Sequence, residues 1–205
     1  ISNYYGMVSL IDHNVGRILT ALNDAGIAEN TLVVYTADHG EWLGDHGLLL
    51  KGPIIYESLL TVGCIMKGPE IPKNLIIDDP VSTIDIPATF YDYANISKPM
   101  DLNGKSLIGL INEKDKRDFA YNEWDLRSSR TGLELNLRVA RTKTAKLIYE
   151  ELSDTGEMYI LSEDPGEMDN VYNDPSYSKI QKELMEMIKS RPNDALDPLE
   201  QVAMS

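Results

Sequence analysis

Thr31-Leu-Val-Val-Tyr-Thr-Ala37 runs directly into Asp38-His-Gly-Glu-Trp-Leu-Gly-Asp-His-Gly47, and then into Leu48-Leu-Leu-Lys-Gly-Pro53. The opening run is apolar and β-prone without alternation, the pattern of a strand buried on both faces. Upstream, Met7, Leu10, Ile11, Val15, Ile18, Leu19, Leu22 and Ala25 recur at helical spacing. Asp12, Asn14, Arg17, Asn23 and Asp24 take the other faces, and Gly26 can close the helix in a left-handed conformation. Helix, short turn and buried strand predict an α/β fold with a mainly parallel sheet and flanking helices. The pattern opens at Ile1 with no initiator Met, so the expectation is one portion of a longer polypeptide.

In an open α/β sheet, ligands bind beyond the carboxyl ends of the strands, and Asp38 and His39 occupy that position. A carboxylate oxygen beside an imidazole nitrogen suits a divalent cation of hard or borderline character. Lys51 returns a compact positive charge that can hold an anionic group. The same residue types also serve plain turns, because Asp next to Gly bonds its own backbone, and both readings stand on spacing alone. His13 falls within the first helix and reads as a surface or partly buried helical residue. Cys64, in Thr61-Val-Gly-Cys-Ile-Met66, reads as a small hydrophobe on a second core strand, inert because apolar neighbours raise its thiol.

Further along, Ser82 or Thr83 can cap a helix reaching about Tyr93. The polar stretch Glu113-Lys-Asp-Lys-Arg-Asp118 marks a boundary, giving an α/β portion over 1–116 and an α+β portion over 117–205. In the second portion, Phe119–Glu123, Leu135–Arg141, Lys146–Glu150 and Met158–Leu161 read as short strands. Asp154-Thr-Gly156 and Asp164-Pro-Gly166 read as turns. Tyr177 to Ser190 carries Ile180, Leu184, Met187 and Ile188 at helical spacing, so a last helix packs on a small antiparallel sheet. Trp124 with Arg127 and Arg130 could border a substrate pocket, although exposed loop positions explain them better. Asn95-Ile-Ser97 fits a glycosylation acceptor, a pattern too common to carry weight.

Composition narrows the partners. Hydrophobic residues make up 42% of the 205 positions and charged ones 25%, as in an ordinary globular chain. Thirty-three Asp and Glu against nineteen Lys and Arg leave a net charge of −14. Such a surface repels a phosphate backbone, which argues against a nucleic-acid partner. No apolar run approaches the ~20 residues that span a bilayer. A single cysteine rules out an internal disulfide framework and a multi-cysteine zinc cluster.

The stretch from Thr36 to Pro53 closely resembles the second metal motif of sulfatases in the alkaline-phosphatase-like superfamily. It is most similar to the branch holding choline-sulfatase-like enzymes and phosphonate monoester hydrolases. Tyr4 to Arg17 resembles the family helix before that strand, and Val81 to Phe90 the helix after the sheet. Arg138-Val-Ala-Arg-Thr142, Lys146-Leu-Ile-Tyr149 and Glu157 to Glu167 resemble its C-terminal antiparallel subdomain. The resemblance implies Asp38 and His39 as ligands of a divalent cation, Ca²⁺ first, with Mn²⁺ or Mg²⁺ as alternatives. It implies Lys51 as the group contacting the transferred sulfate or phosphate, places His46 within the substrate-binding motif, and makes Glu57 structural.

The resemblance also marks what this chain lacks. The family's formylglycine nucleophile arises in a Cys/Ser-x-Pro-x-Arg motif, and no such motif occurs here. Cys64, followed by Ile-Met-Lys, cannot fill that role. The family's paired N-terminal aspartates, and its first Lys and His of the anion pocket, belong to the missing N-terminal half. The family's Arg-Val-Pro before the next strand is replaced around Leu60-Thr-Val62. The implied function is the C-terminal part of a sulfatase acting on a small-molecule or saccharide sulfate ester. A phosphonate monoester or phosphodiester hydrolase and an inert domain with a vestigial site are the alternatives.

Overall fold

The computed structural model describes residues 1–100, 102–127 and 132–191. One compact unit spans Ile1–Leu75 and a second begins at Ile76.

In the first unit, α1 (Ser2–Asp24) forms where the periodicity places it. Gly26 follows with φ +69°, and the amides of Gly26 and Ile27 bond the carbonyls of Asn23 and Leu22. β1 (Val33–Tyr35) pairs with β2 (Ile65–Lys67) in the register Val33↔Lys67, Val34↔Met66, Tyr35↔Ile65. Between them lie a 3₁₀ turn at Asp45–Gly47 and α2 (Glu57–Leu60).

Three expectations are corrected in this unit. β1 is shorter than the 31–37 run, with Val33 and Val34 half-buried and Tyr35 exposed. Its partner runs antiparallel, and the expected parallel neighbours are not among the described residues. An uninterrupted apolar run reports a missing polar face, but not which strand lies beside it. Cys64 is exposed just ahead of β2 rather than on a core strand, although partial desolvation still raises its thiol. The stripe on α1 is also largely uncovered: Met7, Leu10, Ile11 and Ile18 are exposed, and Val15, Leu19 and Leu22 half-buried. At 1.5 Å per residue α1 is about 35 Å long. A three-residue strand spans only about 10 Å, so a ribbon of two cannot cover it.

The second unit opens with α3 (Asp85–Tyr93) and α4 (Ile108–Ile111). Neither Ser82 nor Thr83 caps α3 through its side chain. Instead buried Asp85 reaches back, accepting from the amides of Ser82 and Lys105, and meets the Arg117 guanidinium at 3.5 Å. Asp79 accepts from the Arg117 amide and pairs with Lys143 at 2.7 Å. These bonds tie residues 79–117 to the strands that follow, which is why the polar stretch near 116 lies inside the second unit.

Those strands, β3 (Phe119–Leu126), β4 (Leu135–Thr142), β5 (Lys146–Glu150) and β6 (Thr155–Tyr159), form an antiparallel meander in chain order. β6 begins earlier than expected, because Asp154 takes φ +53° and turns the chain so that Thr155 already faces Glu150. α5 (Ser178–Lys189) lays Leu184 and Ile188 on Ala140, Leu147, Met158 and Ile160, the core of the unit. A small antiparallel sheet with a packed helix is therefore present as the sequence predicts.

Two buried charges sit at the sheet. Lys146 on β5 is fully enclosed and pairs with Glu167, which follows the Asp164-Pro-Gly166 turn. Glu150, 8% exposed, accepts from the amides of Asn136, Leu152 and Ser153. Burial raises its carboxyl, but those amides and the Ser153 hydroxyl outweigh burial and hold it at about 2, from an ordinary 4.5. A depressed carboxyl contributes stability that is complete above the unfolded value and lost as pH falls through the folded one. The urea midpoint of the wild type is therefore expected to drop between pH 4.5 and about 2. Glu150→Gln, less stable at neutral pH, should lack this part of the drop, the two curves converging at the acid end.

Candidate active site

The strand end is set by backbone contacts. Past β1 the chain turns at Gly40, whose amide donates to the Leu59 carbonyl at 2.7 Å, and the Glu41 amide donates to Ser58 at 3.1 Å. Both acceptors belong to α2, which thus clamps the segment carrying Asp38 and His39. No side chain fits at position 40, since a Cβ there would lie 2.0 Å from the Ser58 carbonyl oxygen. The next loop winds around Trp42, 7% exposed. Its amide donates to Leu50 at 3.2 Å and its indole N–H to Ile54 at 3.2 Å, while Gly52 packs against the ring. Lys51 lies between Leu50 and Gly52, so its backbone is anchored while its side chain stays exposed.

Asp38, His39 and Lys51 lie together past the end of β1. Asp38 Oδ2 lies 3.6 Å from His39 Nε2, and Lys51 Nζ lies 2.9 Å from the same nitrogen. His39 Nδ1 is 2.7 Å from the Gly40 carbonyl. A carbonyl only accepts and an ammonium only donates. Nδ1 therefore carries the proton, and Nε2 presents a lone pair. The Asp38 carboxylate is 87% exposed. The His39 and Asp38 amides, with a smaller contribution from Lys51, hold it below its ordinary value against an opposing effect of burial. An ionised oxygen and a neutral imidazole nitrogen facing a common space fit a divalent cation as two members of its shell. No group of three or more His, Cys, Asp or Glu able to hold a metal occurs among the described residues.

His46 takes a different position. It adopts φ 49° and stacks on Tyr56, with ring centroids 3.6 Å apart and planes 6° from parallel. Tyr56 precedes α2 and its carbonyl accepts from Leu59 and Leu60, so the stack joins the 45–47 turn to the clamping helix. Sequence reading missed Tyr56; an aromatic residue directly before a short helix is the only signal it offered. Glu57, in the first turn of α2, accepts from the Thr61 hydroxyl at 3.3 Å, in keeping with a structural role. His13 lies exposed on α1. Trp124 and Arg127 belong to the second unit, on β3 and just past it, and Arg130 lies outside the described residues.

The chain belongs to the sulfatase family described as N-sulphoglucosamine sulphohydrolase, C-terminal, whose profile matches residues 44–194. His46 and Lys51 fall inside that match, and Asp38 and His39 just ahead of it. Among its relatives is an N-acetylglucosamine-6-O-sulfatase of Bacteroides thetaiotaomicron, 32% identical over 91% of this chain and 34% of the relative. A solved structure described as in complex with its substrate D-glucosamine-2-N,6-O-disulfate matches with TM-score 0.77 at 31% identity, over 95% of this chain and 41% of that one. The phosphonate monoester hydrolase of Agrobacterium radiobacter matches with TM-score 0.81 at 28% identity, over 91% and 40%. The chain spans about a third of the length of the curated relatives it matches. It is thus a C-terminal sulfatase portion of the alkaline-phosphatase-like superfamily.

Gly40→Ala tests the clamp. Its methyl group must displace the Ser58 carbonyl, and forced overpacking costs about 1–3 kcal/mol. The variant is expected to unfold at a lower temperature in calorimetry and to lose the Gly40–Leu59 amide protection in hydrogen exchange.

Proposed function

We propose that the chain is the C-terminal part of a metal-dependent sulfatase, in which Asp38 and His39 help hold a divalent cation and Lys51 engages the sulfuryl group. The observation that carries this reading is the convergence of the three side chains at the end of β1, with Oδ2 and Nζ at 3.6 and 2.9 Å from one imidazole nitrogen. Ca²⁺ suits the exposed carboxylate oxygen, and Mn²⁺ or Mg²⁺ is the alternative. When bound, the cation supplies Lewis-acid polarisation of the ester oxygens.

The residues of this chain supply the rest. Asp38 contributes its ionised oxygen without needing a base, because its proton is already lost at neutral pH. His39 is oriented by its Nδ1–H bond to Gly40, which leaves Nε2 as the coordinating atom. Lys51 offsets charge that develops on the transferred group or on the departing oxygen. The nucleophile, a formylglycine in this reading, belongs to an upstream portion. That portion also covers the exposed stripe on α1, since a row of large apolar side chains in water marks a packing surface. Relatives described as acting on N-acetylglucosamine 6-sulfate or glucosamine disulfate make a sulfated saccharide the favoured substrate class. A second reading, phosphonate monoester hydrolysis, is favoured by the likeness to the Agrobacterium enzyme. Its tetrahedral anionic ester would use the same three side chains.

The test is Asp38→Ala in the full polypeptide carrying this chain, assayed with 4-nitrophenyl sulfate and with a phenyl phosphonate monoester. Loss of several kcal/mol of charge stabilisation corresponds to a fall in kcat/KM of about a thousandfold. The fall should appear on whichever substrate class the enzyme serves, with the fold retained by circular dichroism. Near-normal turnover of both substrates by the variant would overturn the proposal.

A further inference from the structure

Lys51 does something the proposed function does not require: its ammonium donates to His39 Nε2 at 2.9 Å. That nitrogen has one lone pair. The other ring nitrogen is committed to the Gly40 carbonyl at 2.7 Å, and Gly40 is pinned to α2 through Leu59. The imidazole therefore cannot turn to offer a second acceptor without breaking a bond that the clamp holds in place. Two positive centres cannot share one lone pair.

We propose that Lys51 and a divalent cation are mutually exclusive partners of His39 Nε2, so that Lys51 is free to engage an anionic ester only once that lone pair is taken. The inference rests on the reading that Asp38 and His39 hold a cation, and adds to it an order of events, cation before ester. The loop is built for such a movement. Leu50 and Gly52 fix the Lys51 backbone against Trp42, while the side chain is exposed on a flexible four-carbon stem. The ammonium can thus leave His39 by rotamer change alone, without displacing the loop. In the contact seen here Lys51 also screens the nearby Asp38 carboxylate, which its charge helps to keep ionised. One lysine serves in turn as internal counter-ion and as anion ligand.

The experiment measures Mn²⁺ binding to the full polypeptide carrying this chain, by the electron-resonance signal of the free ion, after divalent ions are removed with chelator. Lys51→Met keeps the stem and removes the donor. Loss of a competing charge-assisted hydrogen bond should tighten Mn²⁺ binding about tenfold. The gain should persist in about 0.5 M KCl, where a purely long-range charge effect is screened. In chelator, the ¹⁵N resonance of His39 Nε2 should move downfield in Lys51→Met, reporting a lost hydrogen bond independently of any ion. Asp38→Ala separates the two claims. If Asp38→Ala weakens Mn²⁺ binding while Lys51→Met leaves affinity and the ¹⁵N resonance unchanged, the exclusion is overturned and the cation site stands. If Mn²⁺ binds neither the wild type nor Lys51→Met, or binding ignores Asp38→Ala, both are overturned.

Discussion

Two backbone hydrogen bonds, from Gly40 to Leu59 and from Glu41 to Ser58, fix the segment that carries Asp38 and His39. They press the end of β1 against a helix of one turn so closely that no Cβ is tolerated at position 40. The candidate site depends on that contact. The Gly40 carbonyl, on a residue held by its own amide's bond, orients the His39 ring and selects its tautomer, so that the Nε2 lone pair is the one beside Asp38 and Lys51. The stack of His46 on Tyr56 joins the start of the same helix to the 45–47 turn. A short helix with few buried residues of its own thus organises the site through its carbonyls.

The surrounding loop carries its conformation at a cost. Leu43, His46 and Leu50 all have positive φ, a region that disfavours side chains with a Cβ and costs of order 1 kcal/mol per residue. Such strain persists where neighbouring structure over-determines it, and here Trp42 does so, enclosed and bonded at both its amide and its indole N–H. The arrangement separates two needs: the backbone beside Lys51 is stiff, whereas its side chain is not. The strong acidity of the chain does not conflict with the anion-binding role proposed for Lys51, because one nearby ammonium outweighs distant surface carboxylates that solvent ions screen.

How far the sequence could be read depended on the range of the interaction. α1, α5 and the meander were legible because each rests on local periodicity or on turns between adjacent strands. The closeness of Asp38, His39 and Lys51 follows from their place on one continuous loop. What escaped was set by contacts distant in the chain. β1 was expected to be buried in a parallel sheet, yet Tyr35 lies exposed beside Ile65 of an antiparallel partner. Asp85, a hub for Ser82, Lys105 and Arg117, reads in sequence as an ordinary helical carboxylate. The chain divides near Leu75 rather than at the polar stretch near 116, because Asp79 joins Arg117 and Lys143 across it. No spacing rule announces any of these.

The Lys146–Glu167 pair has a consequence of its own. The Lys146 ammonium has no exposed surface and is fixed by a carboxylate beside a proline turn. Electrophiles that acylate amines, whether metabolic thioesters or laboratory reagents, find Lys51 and the surface amines readily but reach this one only before the sheet has closed. An acyl mark at position 146 would therefore be a fossil of the nascent chain, written before folding and preserved afterwards.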